Sequence, residues 1–415
     1  MSKFIINGGK KLSGEIRVNG SKNALFPLFA AALLTDEECQ FTNVPDILDK
    51  QVMLDLLADL GAQVSVTDHA VSIQAANLKK SEVSPEATKL RGSIVLLGAL
   101  LARTKKAKIS FPGGDAIGKR PIDSHLAAFK ALGASVSVTE SIEVIADKLV
   151  GNKIILEESS VTATENAILA ASLALGTTVV KLAAMEPHVQ QLCEFLNKMG
   201  ANISGIGTTT IKIEGVKKLH GASVELIPDS NEAASFITLA AATKSDVRVA
   251  NLNPDFLDDF LLKLSKMNVR FEVGLDFVHV LAPVGGYIAA KIQCGLYPKL
   301  ASDDMPILAV LATQAAGESL IYEWLYENRL GYVEQLKSMG AQAQILDPHQ
   351  VKIIGPTVMK GAKMISYDIR MGMTMVTAAL VAEGQSEIGE IHHIDRGYEN
   401  LEGRLSQLGA DIKRL

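Results

Sequence analysis

The chain has 415 residues, of which 48% are hydrophobic and 21% charged, enough apolar material for two or three buried cores. Its formal net charge of −5 argues against a general nucleic-acid-binding protein, although a local basic pocket for an anion is compatible with it. The N-terminal segment lacks an apolar stretch of signal-peptide length, and no apolar run reaches about 18 residues. We therefore expect a cytoplasmic protein without a membrane span.

One short pattern recurs along the chain: the end of a helix, then Gly-Ala or a variant, then alternating apolar residues. It occupies residues 59–66, 131–138, 198–205, 266–273, 338–345 and 407–414. Five copies carry Gly at the turn and the fourth carries Asn268. Gly and Asn tolerate the left-handed conformation that ends many helices, so the pattern predicts six helix C-caps, each followed by a strand. The spacing of about 70 residues defines a repeated unit.

A second pattern alternates with the first and consists of Ala-rich apolar segments. These lie at 24–34, 93–102, 167–175, 234–242, 306–316 and 374–382. A helix that is apolar on nearly every face is buried on all sides. Each unit therefore reads as strand, buried helix, strand, outer helix, turn and strand, and the six units are expected to pack as two domains of three units each.

A polar cluster precedes each Ala-rich segment. The clusters are at 21–23, 89–93, 162–166, 228–232, 302–306 and 367–370. They are either ordinary N-caps, for which Ser, Thr, Asp and Asn are preferred, or anion-binding helix ends. The cations Lys22, Arg91 and Arg370 favour the second interpretation, because positive charge at a helix N-terminus is unfavourable unless an anion compensates it.

The segment PGGDAIGKRPIDSH at 112–125 predicts a mobile loop, since three glycines surround Asp115. Alone, such a loop is a weak signal. Taken with five other motifs, it resembles the UDP-N-acetylglucosamine enolpyruvyl transferases over essentially the whole chain. The motifs are GSKNA at 20–24, LRGS at 90–93, PGGDAIGKRPID at 112–123, DDM at 303–305, ENR at 327–329 and HIDRGYE at 393–399.

The resemblance implies an α/β protein with the two-domain, inside-out α/β barrel of the enolpyruvyl transferases, built from six βαβαββ repeats, three in each domain. Residues 1–21 and 230–415 are expected to form one discontinuous domain. Residues 22–229 would form the other and carry the 112–121 loop, with the active site in the cleft between the two.

The implied activity is transfer of the enolpyruvyl group of phosphoenolpyruvate to the 3-hydroxyl of UDP-N-acetylglucosamine, with release of phosphate. In the family this is the first committed step of peptidoglycan precursor synthesis. The resemblance implies no metal and no cofactor, and its only partners are the two small-molecule substrates, with neither nucleic acid nor membrane. The cysteines Cys39, Cys193 and Cys294 are far apart and show no metal-ligand or disulfide spacing, so we expect buried thiols.

The resemblance also assigns roles to individual residues. Asp115 matches the position of the general acid, and Asp304 matches the base that takes the sugar hydroxyl proton. Lys22, Arg120 and Arg396 resemble the cations around phosphoenolpyruvate. The matching substrate-binding positions are Lys22, Asn23, Arg91, Arg120, Pro121, Ile122, Asp123, Ser124, Ser160, Val161, Asp304, Leu325, Arg329, Asp368 and Arg370.

Several positions depart from the family pattern. Asp115 stands where most members have Cys, and Glu158 stands where a diphosphate-binding Lys is common. Ser230 interrupts a usual PDR, and Met371-Gly372 replaces a common Ala-Ser. The carboxyl group of Asp115 keeps an acid at the loop tip, whereas Glu158 puts the contact with the nucleotide sugar in question.

Three other functions are open. A 3-phosphoshikimate enolpyruvyl transferase would carry an NAGT-type motif before its second core helix, where this chain has TKLRGSI at 88–94. An RNA 3′-terminal phosphate cyclase needs a nucleophilic His, and His392 and His393 lie in the segment that resembles the transferases. The departures also leave room for a non-catalytic paralogue that binds a nucleotide sugar.

Overall fold

The computed structural model describes residues 2–115 and 117–415. The chain divides into two compact units. We call Met1–Asn19, Asp115–Lys119 and Pro228–Leu415 the first unit, and Gly20–Gly114 and Arg120–Ile227 the second unit. Asp115–Lys119, in the middle of the 112–121 loop, thus groups with the first unit. The domain boundaries at 21/22 and 229/230 stay a prediction.

The helices follow the predicted alternation of buried and outer segments. They are α1 Lys22–Ala31, α2 Leu48–Leu60, α3 Leu96–Thr104, α4 Asp123–Ala131, α5 Val161–Ala171, α6 Pro187–Lys198, α7 Ser230–Ala242, α8 Asp258–Lys266, α9 Met305–Thr313, α10 Tyr332–Ser338, α11 Ile369–Val381, α12 His392–Asp395 and α13 Leu401–Gln407. Among the described residues, no helix has the length and apolar character needed to cross a bilayer.

The strands are short and fall between these helices. They are β1 Phe4–Asn7, β2 Ser13–Arg17, β3 Glu38–Thr42, β4 Gln63–Thr67, β5 Ala70–Gln74, β6 Lys106–Ser110, β7 Ser135–Val138, β8 Ser141–Ile145, β9 Lys153–Ile155, β10 Thr177–Lys181, β11 Asn202–Ser204, β12 Thr210–Glu214, β13 Ser223–Glu225, β14 Asp246–Ala250, β15 Phe271–Val273, β16 Phe277–Val280, β17 Tyr287–Ile288, β18 Lys291–Gln293, β19 Ala315–Tyr322, β20 Gln342–Asp347, β21 Gln350–Gly355, β22 Lys363–Ile365, β23 Gln385–Gly389 and β24 Asp411–Arg414.

Over the described residues, each unit contains three sheets, one for each repeat, and all are mixed except β6-β8-β7, whose strands are antiparallel. The first unit has the strand orders β22-β23-β1-β24, β15-β16-β14-β2 and β17-β19-β21-β20, with β18 also paired to β19. The second unit has β11-β12-β10-β9, β13-β3-β5-β4 and β6-β8-β7. The predicted α/β fold class with three repeats per unit is confirmed.

Strands distant in sequence complete several of these sheets. In the first unit, β2 pairs in parallel with β14, and β1 lies antiparallel between β23 and β24. In the second unit, β13 pairs in parallel with β3, so the end of that unit supplies the first strand of its first repeat. Both units are therefore closed by residues next to the chain crossings at 19/20 and 227/228.

The Ala-rich segments form the buried helices of the two cores. In the first unit α7, α9 and α11 pack against one another, and in the second unit α3 packs against α1 and α5. Small side chains let the backbones of these helices approach closely: a Cβ added at Gly98 would lie 2.5 Å from the carbonyl oxygen of Asn166. The three cysteines are free thiols and are buried, as expected.

The repeated Gly or Asn ends an outer helix in each of the six repeats. These residues have positive φ angles: Gly61 105°, Gly133 92°, Gly200 99°, Asn268 63°, Gly340 96° and Gly409 94°. Each is followed by a strand: β4, β7, β11, β15 and β20 are the first strands of hairpins, and β24 pairs with β1. The predicted left-handed caps and the strands after them are therefore confirmed.

Gly409 offers a clean test of this cap, because a Cβ added there would contact nothing within 4 Å. Gly409→Ala should lower the free energy of unfolding by about 1 kcal/mol, solely because an L side chain disfavours the left-handed conformation. Urea unfolding measures the difference. Gly331→Ala is the matched control: it lies in the same unit, has a helical φ of −58° and equally open space, and should be neutral or stabilising. Equal effects at both positions would contradict the cap interpretation.

Candidate active site

The polar residues before the buried helices serve as N-caps at four positions. The side chains of Ser21, Ser160, Asp229 and Asp368 accept hydrogen bonds from main-chain N–H groups in the first turn of α1, α5, α7 and α11. Capping alone thus explains these residue types, because it satisfies N–H groups that have no partner within the helix.

In the second unit, Lys22 begins α1, where a positive charge is unfavourable. Its Nζ lies 3.2 Å from Oδ2 of the buried Asp49 and 5.2 Å from the ring centre of Phe26. An internal carboxylate therefore compensates this cation. Asn23 follows on the same helix and is half-buried.

Arg91 fixes both ends of the Gly-rich segment that belong to the second unit. Its guanidinium donates hydrogen bonds to the carbonyl oxygens of Arg120, at 2.6 Å, and Pro112, at 3.4 Å. Gly113 is required by close packing, because a Cβ there would lie 2.0 Å from the carbonyl oxygen of Thr88. Pro121 and Ile122 then lead into α4, which begins at Asp123.

Asn166 on α5 connects the three segments that carry the predicted nucleotide-sugar contacts of the second unit. Its side chain donates to the carbonyl of Ile94, at 2.9 Å, and accepts from the N–H of Gly98, at 2.7 Å. It also donates to Nδ1 of His125, at 2.9 Å, whose Nε2 lies 3.2 Å from the hydroxyl of Thr162. Burial lowers the pKa of His125 to about 3, so this histidine is neutral.

These bonds position the predicted residues around them. Ser124 precedes His125 at the start of α4, and Ser160 and Val161 form the start of α5. The side chain of Glu158, two residues before the Ser160 cap, is exposed.

In the first unit, Asp303 lies between two buried guanidinium groups. Its carboxylate accepts from Arg329, at 2.8 Å, and from Arg370, at 3.0 Å, and these arginine side chains are only 5% and 7% exposed. Burial works to raise the pKa of Asp303, but attraction to the two arginines outweighs it and holds the pKa well below its usual range. Arg370 also donates to the hydroxyl of Tyr398, at 3.1 Å.

The neighbouring Asp304 is in the opposite electrostatic state. It is buried, and its Oδ1 accepts one hydrogen bond, of 3.1 Å, from Nδ2 of Asn231. Burial, assisted by the negative charge of Asp303 and opposed by Arg370, raises the pKa of Asp304 to about 8. This carboxyl is mostly protonated at neutral pH and has a high proton affinity once it is ionised, so it can accept a proton from an alcohol at about pH 8 and above.

Asp115 joins this part of the first unit through Arg396, whose guanidinium donates to Oδ1 at 2.7 Å. Burial raises the pKa of Asp368, the cap of α11, against the attraction of Arg329, and the charge of Asp115 adds to the increase. Ala116, inside the predicted 112–121 loop, lies outside the described residues.

Two backbone contacts attach the rest of the Asp115–Lys119 segment to the ENR motif of the same unit. The N–H of Asn328 donates to the carbonyl of Ile117, at 3.2 Å, and the N–H of Lys119 donates to Glu327, at 3.0 Å.

Each unit therefore brings several of its predicted residues together. In the first unit Arg329 and Arg370 bind Asp303 beside Asp304, Asp368 caps the helix that carries Arg370, and Arg396 pairs with Asp115. In the second unit, hydrogen bonds connect the segments of Arg91, Arg120, Ser124, Ser160 and Val161. The assignment of all these residues to substrates stays a prediction.

The sequence predicts no catalytic or substrate-binding role for Asp303, Asn231, Tyr398, His125 or Asn166. Asp303 and Tyr398 lie within motifs of the family, and Asn166 and Asn231 lie within two of the polar clusters that precede Ala-rich segments, so their positions were usable signals. Asn166 is fully buried, and burial of an amide requires hydrogen-bond partners.

Comparisons with known proteins define the class to which this fold and site belong. The family model for EPSP synthase (3-phosphoshikimate 1-carboxyvinyltransferase) matches residues 6–405. The crystal structure of the enolpyruvyl transferase NikO from Streptomyces tendae superimposes with a TM-score of 0.90, at 26% identity, covering 100% of this chain and 98% of that chain. EPSP synthase from Acinetobacter baumannii, at 18% identity and a TM-score of 0.79 over 100% of both chains, shares the fold. The protein is thus a carboxyvinyl-transferring enzyme.

Curated relatives narrow the class. A UDP-N-acetylglucosamine 1-carboxyvinyltransferase of Borreliella burgdorferi is 42% identical over 425 residues, covering 100% of this chain and 99% of the relative. The enzyme of the same name from Halothermothrix orenii is 42% identical over 417 residues, with 100% of both chains covered. The chain belongs to this UDP-N-acetylglucosamine 1-carboxyvinyltransferase branch of the EPSP synthase family, and the resemblance stated from its motifs is confirmed.

Asp303 should contribute stability that depends on pH. Because its pKa is lower in the folded chain than in the unfolded chain, its charge stabilises the fold above about pH 4, and this stabilisation is lost as the pH falls further. Asp303→Asn should lower the free energy of unfolding at pH 7 by about 1–3 kcal/mol, less than for a fully buried pair because a third of the side chain is exposed.

Urea unfolding between pH 7 and pH 3 measures this effect, and the difference from the wild type should shrink toward pH 3. Asp276→Asn, at an exposed position of the same unit, is the control and should have little effect at either pH. A difference that is the same at both ends of the range would show that the ionised carboxylate is not what Arg329 and Arg370 require.

Proposed function

We propose that this protein transfers the enolpyruvyl group of phosphoenolpyruvate to the 3-hydroxyl of UDP-N-acetylglucosamine and releases phosphate. The observation that carries the proposal is the buried Asp304 with a pKa of about 8, beside an Asp303 held ionised by two arginines, in a chain of this family. A carboxyl in this state has the proton affinity that removal of a hydroxyl proton requires.

The chemistry is an addition followed by an elimination. Asp304 takes the proton of the sugar hydroxyl while the hydroxyl oxygen bonds to C2 of phosphoenolpyruvate, and Asp115 supplies a proton to C3. A C3 proton then passes to one of these carboxylates, the double bond is restored, and phosphate leaves as the bond between C2 and the phosphate oxygen breaks. Neither step consumes an oxidant or reductant, and the chain's own carboxyl groups supply the proton transfers.

Lys22, Arg120 and Arg396 are proposed to bind the phosphate and carboxylate groups of phosphoenolpyruvate. Three cations suit a ligand with two anionic groups, and planar guanidinium groups can bind either group with two hydrogen bonds. Lys22 and Arg396 are already oriented by Asp49 and Asp115, at 3.2 and 2.7 Å. Arg120→Lys is not a conservative change under this proposal, because a fork of donors becomes a point charge.

The nucleotide sugar is proposed to contact two sets of residues, one from each unit. The second unit contributes Asn23, Arg91, Pro121, Ile122, Asp123, Ser124, Ser160 and Val161, and the first contributes Asp304, Leu325, Arg329, Asp368 and Arg370. The hydrogen bonds of Asn166 and His125 support this assignment for the second unit, because they fix α4 and α5 at the ends where these residues lie. Both substrates are cytoplasmic metabolites, so we place the enzyme in the cytoplasm, at the first committed step of peptidoglycan precursor synthesis.

The family model's description supports a second candidate, in which 3-phosphoshikimate is the acceptor. Phosphate release from phosphoenolpyruvate separates the possibilities when it is measured with UDP-N-acetylglucosamine, with 3-phosphoshikimate and with no acceptor. Release only with the nucleotide sugar is expected. Release only with 3-phosphoshikimate would replace the proposed acceptor, and binding of the nucleotide sugar without any release would indicate a non-catalytic paralogue.

The pH dependence of this reaction should report on Asp304. A carboxyl with a pKa of about 8 is mostly protonated at lower pH and cannot then act as a base, so kcat/KM should rise with pH until about 8. Asp304→Asn should lower kcat by about 10²–10⁴-fold and remove that rise. Steady-state phosphate release between pH 6 and 9.5 is the measurement. A wild-type profile that is flat over this range would contradict the role of Asp304 as the base.

Asp115 should act as an acid that resists thiol-directed inhibition. Fosfomycin inactivates this family by alkylating the Cys usual at this position, and a carboxylate is a much poorer nucleophile toward its epoxide. We expect the wild type to be insensitive, Asp115→Cys to be active and sensitive, and Asp115→Asn to be inactive because an amide cannot donate the proton.

Turnover of the three proteins after timed incubation with the drug measures both properties, with Asp276→Asn as a control for substitution of an exposed Asp. Full turnover by Asp115→Asn would exclude Asp115 as the acid. Progressive loss of wild-type activity during the incubation would show that the drug can inactivate this enzyme without a thiol at position 115, which would contradict the predicted insensitivity.

A further inference from the structure

Glu323 is a buried carboxylate for which neither the motifs nor the proposed mechanism provides a role. It directly follows β19 in the first unit, and 1% of its surface is exposed. Its Oε1 accepts from the thiol of Cys294, at 3.2 Å, and from the N–H groups of Leu325, at 2.9 Å, and Tyr326, at 3.3 Å. Its Oε2 accepts from the hydroxyl of Ser302, at 2.7 Å. Both oxygens are thus occupied by donors.

The donors come from segments that are separate in sequence and important for the proposed reaction. Ser302 begins the short turn Ser302–Asp304, which contains the proposed base. Leu325 is a proposed contact of the nucleotide sugar, and Tyr326 leads into the ENR motif. One carboxylate therefore connects the segment of the base with a segment that contacts the acceptor substrate.

The backbone of Glu323 is itself fixed by hydrogen bonds, so its side chain starts from a defined position. Its N–H donates to the carbonyl of His349, at 2.7 Å, and its carbonyl accepts from Nδ1 of the same histidine, at 2.7 Å. Cys294 is fixed in turn, since its sulfur accepts from the N–H of Trp324, at 3.1 Å. Burial raises the pKa of Cys294 to about 12, so the thiol keeps the proton that it donates to Glu323.

These contacts indicate that Glu323 holds other residues in place and does not itself react. A carboxylate that accepts four hydrogen bonds would have to give up several of them to bind a substrate or exchange a proton. Its effect on the reaction must therefore pass through the residues that it holds, Asp304 on one side and Leu325 on the other.

We propose that Glu323 is a positioning residue that fixes the base Asp304 relative to the Leu325 contact, and thereby aligns the hydroxyl of the nucleotide sugar for attack. The inference rests on the proposed function, because it assumes those roles for Asp304 and Leu325. Misalignment of about 1 Å is enough to slow an enzymatic reaction by about 10²-fold.

Three substitutions at Glu323 separate shape from charge. Glu323→Ala removes all four bonds, and kcat/KM for UDP-N-acetylglucosamine should fall by about 10–100-fold, with a raised KM for that substrate. Glu323→Gln removes the charge but should retain most activity, since its amide oxygen still accepts from Leu325 and Tyr326 and the hydroxyl of Ser302 can accept from the amide. Glu323→Asp keeps the charge but is one methylene too short to reach both segments, and should resemble Glu323→Ala.

KM values make the test independent of how much of each variant folds, since they do not change with the fraction of active enzyme. KM for phosphoenolpyruvate should change less than KM for the nucleotide sugar. Glu318→Ala is the matched control, because Glu318 is an exposed carboxylate on β19, paired only loosely with Lys352 at 3.7 Å, and should leave both constants unchanged. Ser302→Ala, which breaks only the bond toward Asp304, should lower kcat while leaving KM for the nucleotide sugar near the wild-type value.

Several results would overturn the inference. Wild-type constants in Glu323→Ala would show that the connection is not needed. In Glu323→Ala, a fall in kcat with unchanged KM for both substrates would indicate loss of folded enzyme alone. Full activity of Glu323→Asp together with inactivity of Glu323→Gln would show that charge matters and alignment does not.

The proposed function can fail separately. If the wild type releases no phosphate with UDP-N-acetylglucosamine, the affinity of that ligand is measured by calorimetry on the same variants. Weaker binding to Glu323→Ala by about tenfold, with Glu323→Gln near the wild type, would still support positioning. Equal affinities in all variants, or no binding to the wild type, would overturn it.

Discussion

Two guanidinium groups buried in the first unit need a fixed negative charge, and Asp303 provides it. Arg329 and Arg370 are almost inaccessible to water, so without a carboxylate between them their charges would repel each other in a medium of low polarity. The next residue, Asp304, is in the opposite state. Burial raises its pKa to about 8, and the negative charge of Asp303 adds to the increase while Arg370 opposes it. Two adjacent aspartates thus acquire opposite protonation states at neutral pH, and only Asp304 has the raised proton affinity expected of the proposed base.

The six repeats of the fold could be predicted from the sequence, because short local patterns encode them. A left-handed cap needs Gly or Asn whatever surrounds it, so Asn268 and Gly409 identify the ends of outer helices directly. Ala-rich segments identify buried helices in the same way. What local patterns could not give is the pairing of strands such as β1 with β23 and β24, or β13 with β3, because these contacts join opposite ends of a unit.

The site was predictable only where motifs carried it. Asp304, Arg370 and Arg396 were selected by resemblance, and the structure gives the first of these an environment suited to a base. The roles of Asp303 and Glu323 depend on side chains 21 or more residues away, as in the bonds from Arg329 and Arg370 to Asp303 and from Ser302 and Cys294 to Glu323. No periodicity or propensity encodes such a distance. Asn166 illustrates the same limit: an amide next to a buried apolar segment signals that hydrogen-bond partners exist, but only the packing of α3, α4 and α5 identifies them.

The cations proposed for phosphoenolpyruvate raise a final physical question, since two of them already have carboxylate partners. Lys22 at the start of α1 is tolerated because Asp49 compensates both its charge and the positive end of the helix. Arg396 is paired with Asp115. An arriving phosphate or carboxylate must share these cations, which lowers the gain from each contact but holds the side chains in position beforehand.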